Sequence, residues 1–448
     1  MTVTAGTPSG DFVQVGATRD GLDPYLDCAR RRGMRAVLVE TPAYLRWRRL
    51  LGRREFDVEV AVARPQDPDA VRAALAAAAV APGLVLTGFE RYVYAGFALA
   101  RALRVAPWPG VGDGFRPLDK REQREALLRG APQVAQPRFV PLGPGDGDAA
   151  DRLGFPQVIK PADGGGGLGV LLVDGVAQRR RALDRVRGLV NYGGGAFSGI
   201  VAEEFVKGPE LSLQGVAHEG SAVLLSVCEK LTCLEEVRGE SGLSGFREVG
   251  HVARPGDGAP PALRELAQAC LDATGYRAGP FHVDVIQGPA GPAFVEMGFR
   301  LSGGGLVALV EKATGADWAE LAFRAHLGDA APVRPPSPDG GRSGGESVPD
   351  APNGPHGAGG TGIAGQISAV SEQELAAAEA LQEPGVAVEI QRAAPPPDPA
   401  ALPADDLPVL ASDLARHTGA VGRVVVSGGP GDRIPALLHS LVAHRLRG

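Results

Sequence analysis

Residues 155 to 174, FPQVIKPADGGGGLGVLLVD, constrain this chain more than any other stretch: an apolar run ends in Lys160, a glycine-rich loop follows, and a second apolar run opens behind it. Gly164, Gly166 and Gly169 fit the spacing G-x-G-x-x-G. A dinucleotide site, however, needs that loop to open a helix whose N-terminus meets the phosphates. Here the loop opens Val170, Leu171, Leu172 and Val173, which read as a strand. A P-loop is excluded as well, because its lysine follows the last glycine and precedes Ser or Thr, whereas Lys160 stands before the loop. Protein kinases also lay a glycine loop between strands, but no H-R-D or D-F-G follows in this chain. An isolated glycine cluster would read as a flexible tip. Bracketed by strands, the run Gly164, Gly165, Gly166 and Gly167 predicts a hairpin whose tip lets backbone N–H groups approach a polyphosphate without Cβ obstruction. Lys160 is then the cation fixed on its first strand.

The choice of lysine carries weight because the chain otherwise writes positive charge as arginine. It has five lysines (Lys120, Lys160, Lys207, Lys230, Lys312) against 41 arginines. A compact ammonium at the foot of the loop suits phosphate oxygens as a point charge, where a planar fork would not. The length of 448 residues allows two to four domains with real cores. A net charge of -6 argues against a general nucleic-acid or anionic-membrane binder. The start, MTVTAGTPSGDF, lacks a basic segment followed by an apolar one, so no secretory signal is read there and a cytoplasmic location is expected. The longest apolar stretch, 71 to 86, is broken by Pro82 and Gly83, so no membrane span is expected. Cys28, Cys228, Cys233 and Cys270 have no zinc-ligand spacing and read as reduced, buried thiols.

Residues 10 to 104 alternate strand and helix, with β-rich runs at Phe12–Val15, Ala36–Val39, Val58–Val62 and Leu84–Leu86. That alternation predicts an α/β unit, a parallel sheet covered by helices on both faces. Its first turn, Gly16 to Gly21, lacks the dinucleotide fingerprint. Glu90, just past the fourth strand, stands where open α/β sheets place ligands, but reads rather as a solvated start of a helix. Lys120 begins a helix, KREQREALLRG. Beyond the hairpin, strands are predicted at Ile200–Phe205, Leu211–Ala217 and 221–230, and GESGLSGFR at 239–247 reads as a mobile loop. After a helix over 261–274, strands Phe281–Gln287 and Ala293–Met297 are joined by the turn GPAG. Asp284 and Glu296 lie on these adjacent strands, so their carboxylates can meet, an arrangement suited to Mg²⁺ held by one or two carboxylates plus substrate phosphates. Taken singly, either carboxylate reads rather as a solvent-facing strand end.

These stretches together resemble the ATP-grasp enzymes, over about residues 83 to 330. FPQVIKPADGGGGLGV resembles the family's strand-lysine-glycine loop, VAEEFVKGPELSL its adenine-binding hinge and ribose glutamate, and FHVDVIQGPAGPAFVEMGFR its paired metal carboxylates followed by an arginine. The branch most resembled is the carboxylate-amine ligases that join L-amino acids. The resemblance implies a Rossmann-like α/β domain at 1–117, an ATP-grasp domain of two α+β subdomains clamping ATP at 118–330, a Pro/Gly-rich linker at 331–360, and a small C-terminal α+β module at 361–448. It implies ATP with Mg²⁺ or Mn²⁺ as cofactors, a small-molecule carboxylate and an amine as substrates, no nucleic-acid or membrane partner, and a homodimer.

Carried over residue by residue, Lys120, Lys160 and Lys230 would contact phosphates. Glu203 and the backbone of Glu204 and Val206 would meet adenine, and Glu210 the ribose. Asp284 and Glu296 would hold the metal, and Arg300 would sit on the transferred phosphate and acyl oxygens. Many members read Glu-x-Asn after the second metal carboxylate, whereas this chain has Gly298 there. The amino-acid ligase branch also lacks that Asn and keeps an arginine four residues past the glutamate, as Arg300 is. His282, two residues before Asp284 on the same strand face, is a further candidate catalytic residue, and Arg247, Glu248 and His251 are candidate substrate contacts. For His282 and His251 a hydrogen-bonded structural histidine is the competing reading. A carboxylase-like or purine-pathway member of the same fold, or a nucleotide-binding regulator without turnover, are the alternatives.

Overall fold

The structure is a computed structural model that describes residues 10–329 and 360–446, apart from 109, 113–114, 144–145, 238, 240–241, 382, 418–419 and 429–432. Four parallel strands, Asp11–Val15 (β1), Ala36–Glu40 (β2), Val58–Ala61 (β3) and Pro82–Thr87 (β4), form a sheet in the order β3-β2-β1-β4. Every residue of β1 and β2 is buried, which is why these runs are mostly apolar without strict alternation: helices cover both faces, and the polar Asp11, Gln14 and Glu40 are buried with hydrogen-bond partners. Two of those helices start on capped, proline-led turns. Thr41 accepts from the Tyr44 amide before Pro42–Leu50, and Asp67 accepts from the Asp69 and Ala70 amides before Pro68–Ala77. The strand order reverses between β1 and β4, so their C-terminal ends flank a crevice, and Glu90 stands on its rim.

The remaining strands make one twelve-stranded sheet. They are Phe139–Leu142 (β5), Gln157–Pro161 (β6), Leu171–Val173 (β7), Ile200–Glu204 (β8), Glu210–His218 (β9), Ser221–Glu236 (β10), Ser244–Pro255 (β11), Gly279–Gly288 (β12), Gly291–Gly298 (β13), Ala364–Ala369 (β14), Val386–Arg392 (β15) and Gly422–Gly428 (β16). The main path runs β13-β12-β9-β10-β11-β7-β6-β8-β5. β6 and β7 form the expected antiparallel hairpin, pairing Gln157 with Val173 and Ile159 with Leu171. At its tip Gly166, Gly167 and Gly169 take φ of +64°, +74° and +76°, a region that a Cβ disfavours. β12 and β13 form the second expected hairpin, with Asp284 directly opposite Glu296 and His282 opposite Gly298.

One expectation needs correction. Ser244 to Arg247, read as part of a mobile loop, open β11, where Ser244–Arg247 pair with β10 and Ser244 and Gly245 also pair with β7. Their small, glycine-rich composition carries no strand period, and pairing partners on both sides decide the conformation. The C-terminal strands belong to the larger sheet. Gly250 to Ala253 of β11 pair with β14, which pairs in turn with β16, so the module is hydrogen-bonded into the sheet. The Pro/Gly-rich stretch expected at 331–360 lies, except for Gly360, outside the described residues.

Candidate active site

A cavity of about 1610 Å³ opens between the two sheets, lined by Lys120, Lys160, the loop Gly164–Gly167, Lys230, Asp284, Glu296 and Arg300 among others. At one end three lysines meet the acids of neighbouring elements. Lys160 Nζ lies 2.8 Å from Glu203 Oε2, whose other oxygen accepts from Arg124 Nε at 2.6 Å, and all three residues are buried. Lys120 Nζ sits 2.8 Å from Glu296 Oε2 and donates to the Gly164 carbonyl, tying the glycine loop to the carboxylate. Lys230 Nζ donates to Glu210 Oε1 at 2.7 Å and to Asp284 Oδ2 at 2.5 Å, while Ser212 Oγ donates to the other Asp284 oxygen.

The helix Lys120–Gly130 positions this end. A reciprocal Asp119/Glu122 cap starts it. Lys120, Gln123, Arg124 and Leu127 then fall on one face at i, i+3, i+4 and i+7. Gln123 clasps the backbone of Met297, accepting from its amide at 2.9 Å and donating to its carbonyl at 2.7 Å, which fixes β13 beside Glu296. Arg124 reaches past Glu203 to the Phe294 and Val295 carbonyls. Sequence reading missed Gln123 and Arg124, although two polar residues on the apolar face of an amphipathic helix were a visible signal.

Burial and pairing pull these charges in different directions. Burial pushes the Lys160 ammonium below the ordinary lysine range; Glu203 offsets this only in part, and Arg124 and Lys120 add to it. Burial also opposes charge on Lys120 and Lys230, but Glu296 holds the first above its usual range, and Asp284, Glu210 and Glu248 hold the second well above it. For Glu296 burial is outweighed by Lys120, Lys160 and Lys230, so its carboxyl sits well below the usual range. Glu203 is likewise lowered, burial being outweighed by Arg124 and Lys160. Glu210 is raised, first by burial and then by Asp284, against the pull of Lys230.

At the other end Arg300 Nε lies 2.6 Å from Glu90 Oε2, so the residue at the tip of β4 does reach into the site. His282 is buried, with Nδ1 3.3 Å from the Arg300 carbonyl. Burial first, then Arg300, push its imidazole below the usual range. Its ring explains Gly298: a Cβ there would fall 2.0 Å from His282 Cε1, so the histidine fills the space a larger side chain would need. Glu248 stands 3.7 Å from Lys230 Nζ and 3.0 Å from His251 Nε2, and Arg247 pairs with Glu235. The Glu204 carboxylate accepts from Arg138, away from the lysines. Val206 lines the cavity next to Phe205, which stacks on Phe246 with centroids 6.2 Å apart. Asp20 and Gln366, which sequence reading did not single out, hold the glycine segment after Arg300, accepting from the Gly305 amide at 3.1 Å and donating to the Gly304 carbonyl at 2.7 Å.

A hairpin-borne lysine and glycine loop thus face a carboxylate pair across the cavity. The ATP-grasp domain family matches residues 128–304, and the chain carries that domain. Dapdiamide A synthase of Enterobacter agglomerans is 22% identical over 166 residues, which span 37% of this chain and 38% of that protein's length. An L-amino acid ligase from Bacillus licheniformis is similar in structure, with a TM-score of 0.61 at 17% identity over 97% of this chain and 98% of that one. A carboxyaminoimidazole ribonucleotide synthase from Aspergillus clavatus, solved with ATP, gives a TM-score of 0.62 at 15% identity over 99% and 100%. No helix among the described residues is long and apolar enough to cross a membrane.

Proposed function

We propose that this chain is an ADP-forming, ATP-dependent carboxylate-amine ligase acting on small molecules, the acid being an amino acid or peptide. The observation that carries this reading is the carboxylate pair Asp284 and Glu296, opposed across one hairpin and each held by a lysine from another element. Attack of a carboxylate on a polyphosphate brings anion to anion, and only fixed cations in a water-poor cleft make it feasible. In the proposed reaction a carboxylate oxygen bonds to the γ-phosphorus as ADP leaves; the amine then attacks the acyl carbon and phosphate departs with that oxygen.

Lys120 and Lys160 would bind the phosphates, with the glycine loop over them and Lys230 beside them. Glu203, its charge committed to Lys160 and Arg124, would hold those cations in place and face the base, with the backbone of Glu204 and Val206. Glu210 would take the ribose hydroxyls. Arg300 would orient the carboxylate and its acyl oxygens, with His282 supporting it from beneath. Among the described residues no cluster of three or more His, Cys, Asp or Glu closes around a metal. The pair Asp284 and Glu296 therefore fits a cation that draws its other ligands from phosphate and water, as Mg²⁺ or Mn²⁺ does. Such an ion would neutralise phosphate charge when bound. We read 1–117 as the N-terminal domain, 118–330 as the ATP-grasp domain, 331–360 as a linker and 361–448 as the C-terminal module. We further read the protein as a cytoplasmic homodimer, which would elute at twice the chain mass.

The test is phosphate release from ATP and Mg²⁺ across amino acids offered singly and in pairs, with mass spectrometry of products. Release confined to particular pairs, with a condensed product, supports the ligase. Steady release with no added amine, or release dependent on bicarbonate, would replace it with the carboxylase-like reading.

A further inference from the structure

Gln366 lies on β14 directly opposite His251 of β11, and both are buried where the C-terminal strand meets the cavity. Its Nε2 donates to the Gly304 carbonyl at 2.7 Å and lies 3.5 Å from His251 Nδ1. The Gly304 carbonyl can only accept, so it settles which end of the Gln366 amide is nitrogen. An amide nitrogen has two hydrogens and no acceptor, so its second hydrogen faces Nδ1, and Nδ1 must be the unprotonated ring nitrogen. The ring proton is thereby assigned to Nε2. That atom is 3.0 Å from Glu248 Oε1, at ion-pair distance but not aligned for a hydrogen bond, and no other partner meets it.

From this geometry we infer that Gln366 is a positioning residue that locks His251 as the neutral, Nε2-protonated tautomer, presenting a buried N–H donor to a substrate oxygen while Glu248 beside it faces the substrate's amine. The inference rests on the cavity being the ligase site proposed above. It makes the C-terminal module part of the substrate end. One amide binds two things at once: the carbonyl of the glycine segment that follows Arg300, and the histidine of β11. A single fixed tautomer reads a carboxylate or carbonyl oxygen and rejects a donor at the same place, since the histidine cannot swap its proton to the other nitrogen without losing Gln366.

Histidine-selective ¹⁵N NMR of the full chain, with the His251 signals assigned by their loss in His251→Gln, tests the tautomer without any need for turnover. The expected result is one ring nitrogen pair in which Nε2 is protonated and Nδ1 is not, converting to an averaged or Nδ1-protonated pattern in Gln366→Met. An averaged or Nδ1-protonated His251 in the unmodified protein overturns the proposal, as does an unchanged pattern in a folded Gln366→Met variant. With substrates found by the phosphate-release panel, Gln366→Met and Gln366→Glu should raise the KM of one amino-acid substrate about fivefold to tenfold while the KM of ATP stays within about twofold. Equal effects on both would reduce Gln366 to a structural residue. If no pair releases phosphate, the ligase reading fails while the NMR result still decides the tautomer.

Discussion

At the lysine end of the cavity Lys120, Lys160 and Lys230 meet Glu296, Glu203, Glu210 and Asp284 on strands β8, β9, β12 and β13, whereas at the arginine end Glu90 meets Arg300, and Asp20 and Gln366 meet Gly305 and Gly304, across far-separated stretches of chain. The first arrangement is fixed largely by strand register within one sheet, in which residues become neighbours as soon as strands pair, with Lys120 added by its helix. The second exists only once the N-terminal sheet, the central strands and the C-terminal strand have docked. Charge at the lysine end is therefore set by strand pairing, while in the proposed reaction specificity at the arginine end would depend on how three parts of the chain sit together.

Breaking the lysine end should have the largest effects. Glu203→Gln leaves Arg124 and Lys160 buried without their shared carboxylate, and the urea midpoint should fall by the equivalent of about 3 kcal/mol. An unchanged midpoint would mean that the triad contributes little and that its burial is incidental. Lys160→Ala and Glu296→Ala should each lower the rate of phosphate release by on the order of 10²-fold. Turnover close to the unmodified protein in either variant would remove that residue from the reaction.

The boundary between the two ends is His282 over Gly298. Gly298→Asn forces a side chain into the imidazole and should destabilise by about 2 kcal/mol, of which about 1 kcal/mol returns in the His282→Ala/Gly298→Asn double variant. Simple additivity of the two substitutions would show that the ring and the glycine are independent. At the arginine end Glu90→Gln should raise the KM of an amino-acid substrate about fivefold and change that of ATP much less, because its ion pair is with Arg300 and its effect on Lys120 is a longer-range one. A matching rise for ATP would erase the distinction between the ends.

The smallest effect is a pH dependence. Lys160 is depressed by burial, so its positive charge is lost, as pH rises, earlier than for an ordinary lysine at about 10.4. The profile of kcat/KM for ATP, which reports the free enzyme, should fall on its alkaline side below that value. A flat profile up to the ordinary lysine range would detach Lys160 from phosphate binding.

The sequence made the lysine end legible because its signals are local. Lys160 and its glycines sit in one twenty-residue stretch, and Asp284 and Glu296 flank one short turn. Most strands of the parallel sheet were visible for the same reason, as short β-rich runs alternating with helical patterns. What could not be read was anything that needs a partner far away in the chain. Glu90 took its meaning from Arg300, and Gly298 from the ring of His282. Ser244 to Arg247 became strand only through neighbours on both sides, and Gln366 gained a role only once β14 had joined β11. Arg124 is the intermediate case: its place on the buried face of the helix was readable, but its carboxylate partner was not.

The most direct test of the proposed chemistry follows the carboxylate oxygen. With the acid found by the release panel labelled with ¹⁸O in its carboxylate, one ¹⁸O should appear in the inorganic phosphate for each condensed product formed, because that oxygen leaves with the phosphorus. Phosphate free of label, formed at the same rate as the product, would contradict an acyl phosphate and with it the reading of this cavity as a carboxylate-activating site.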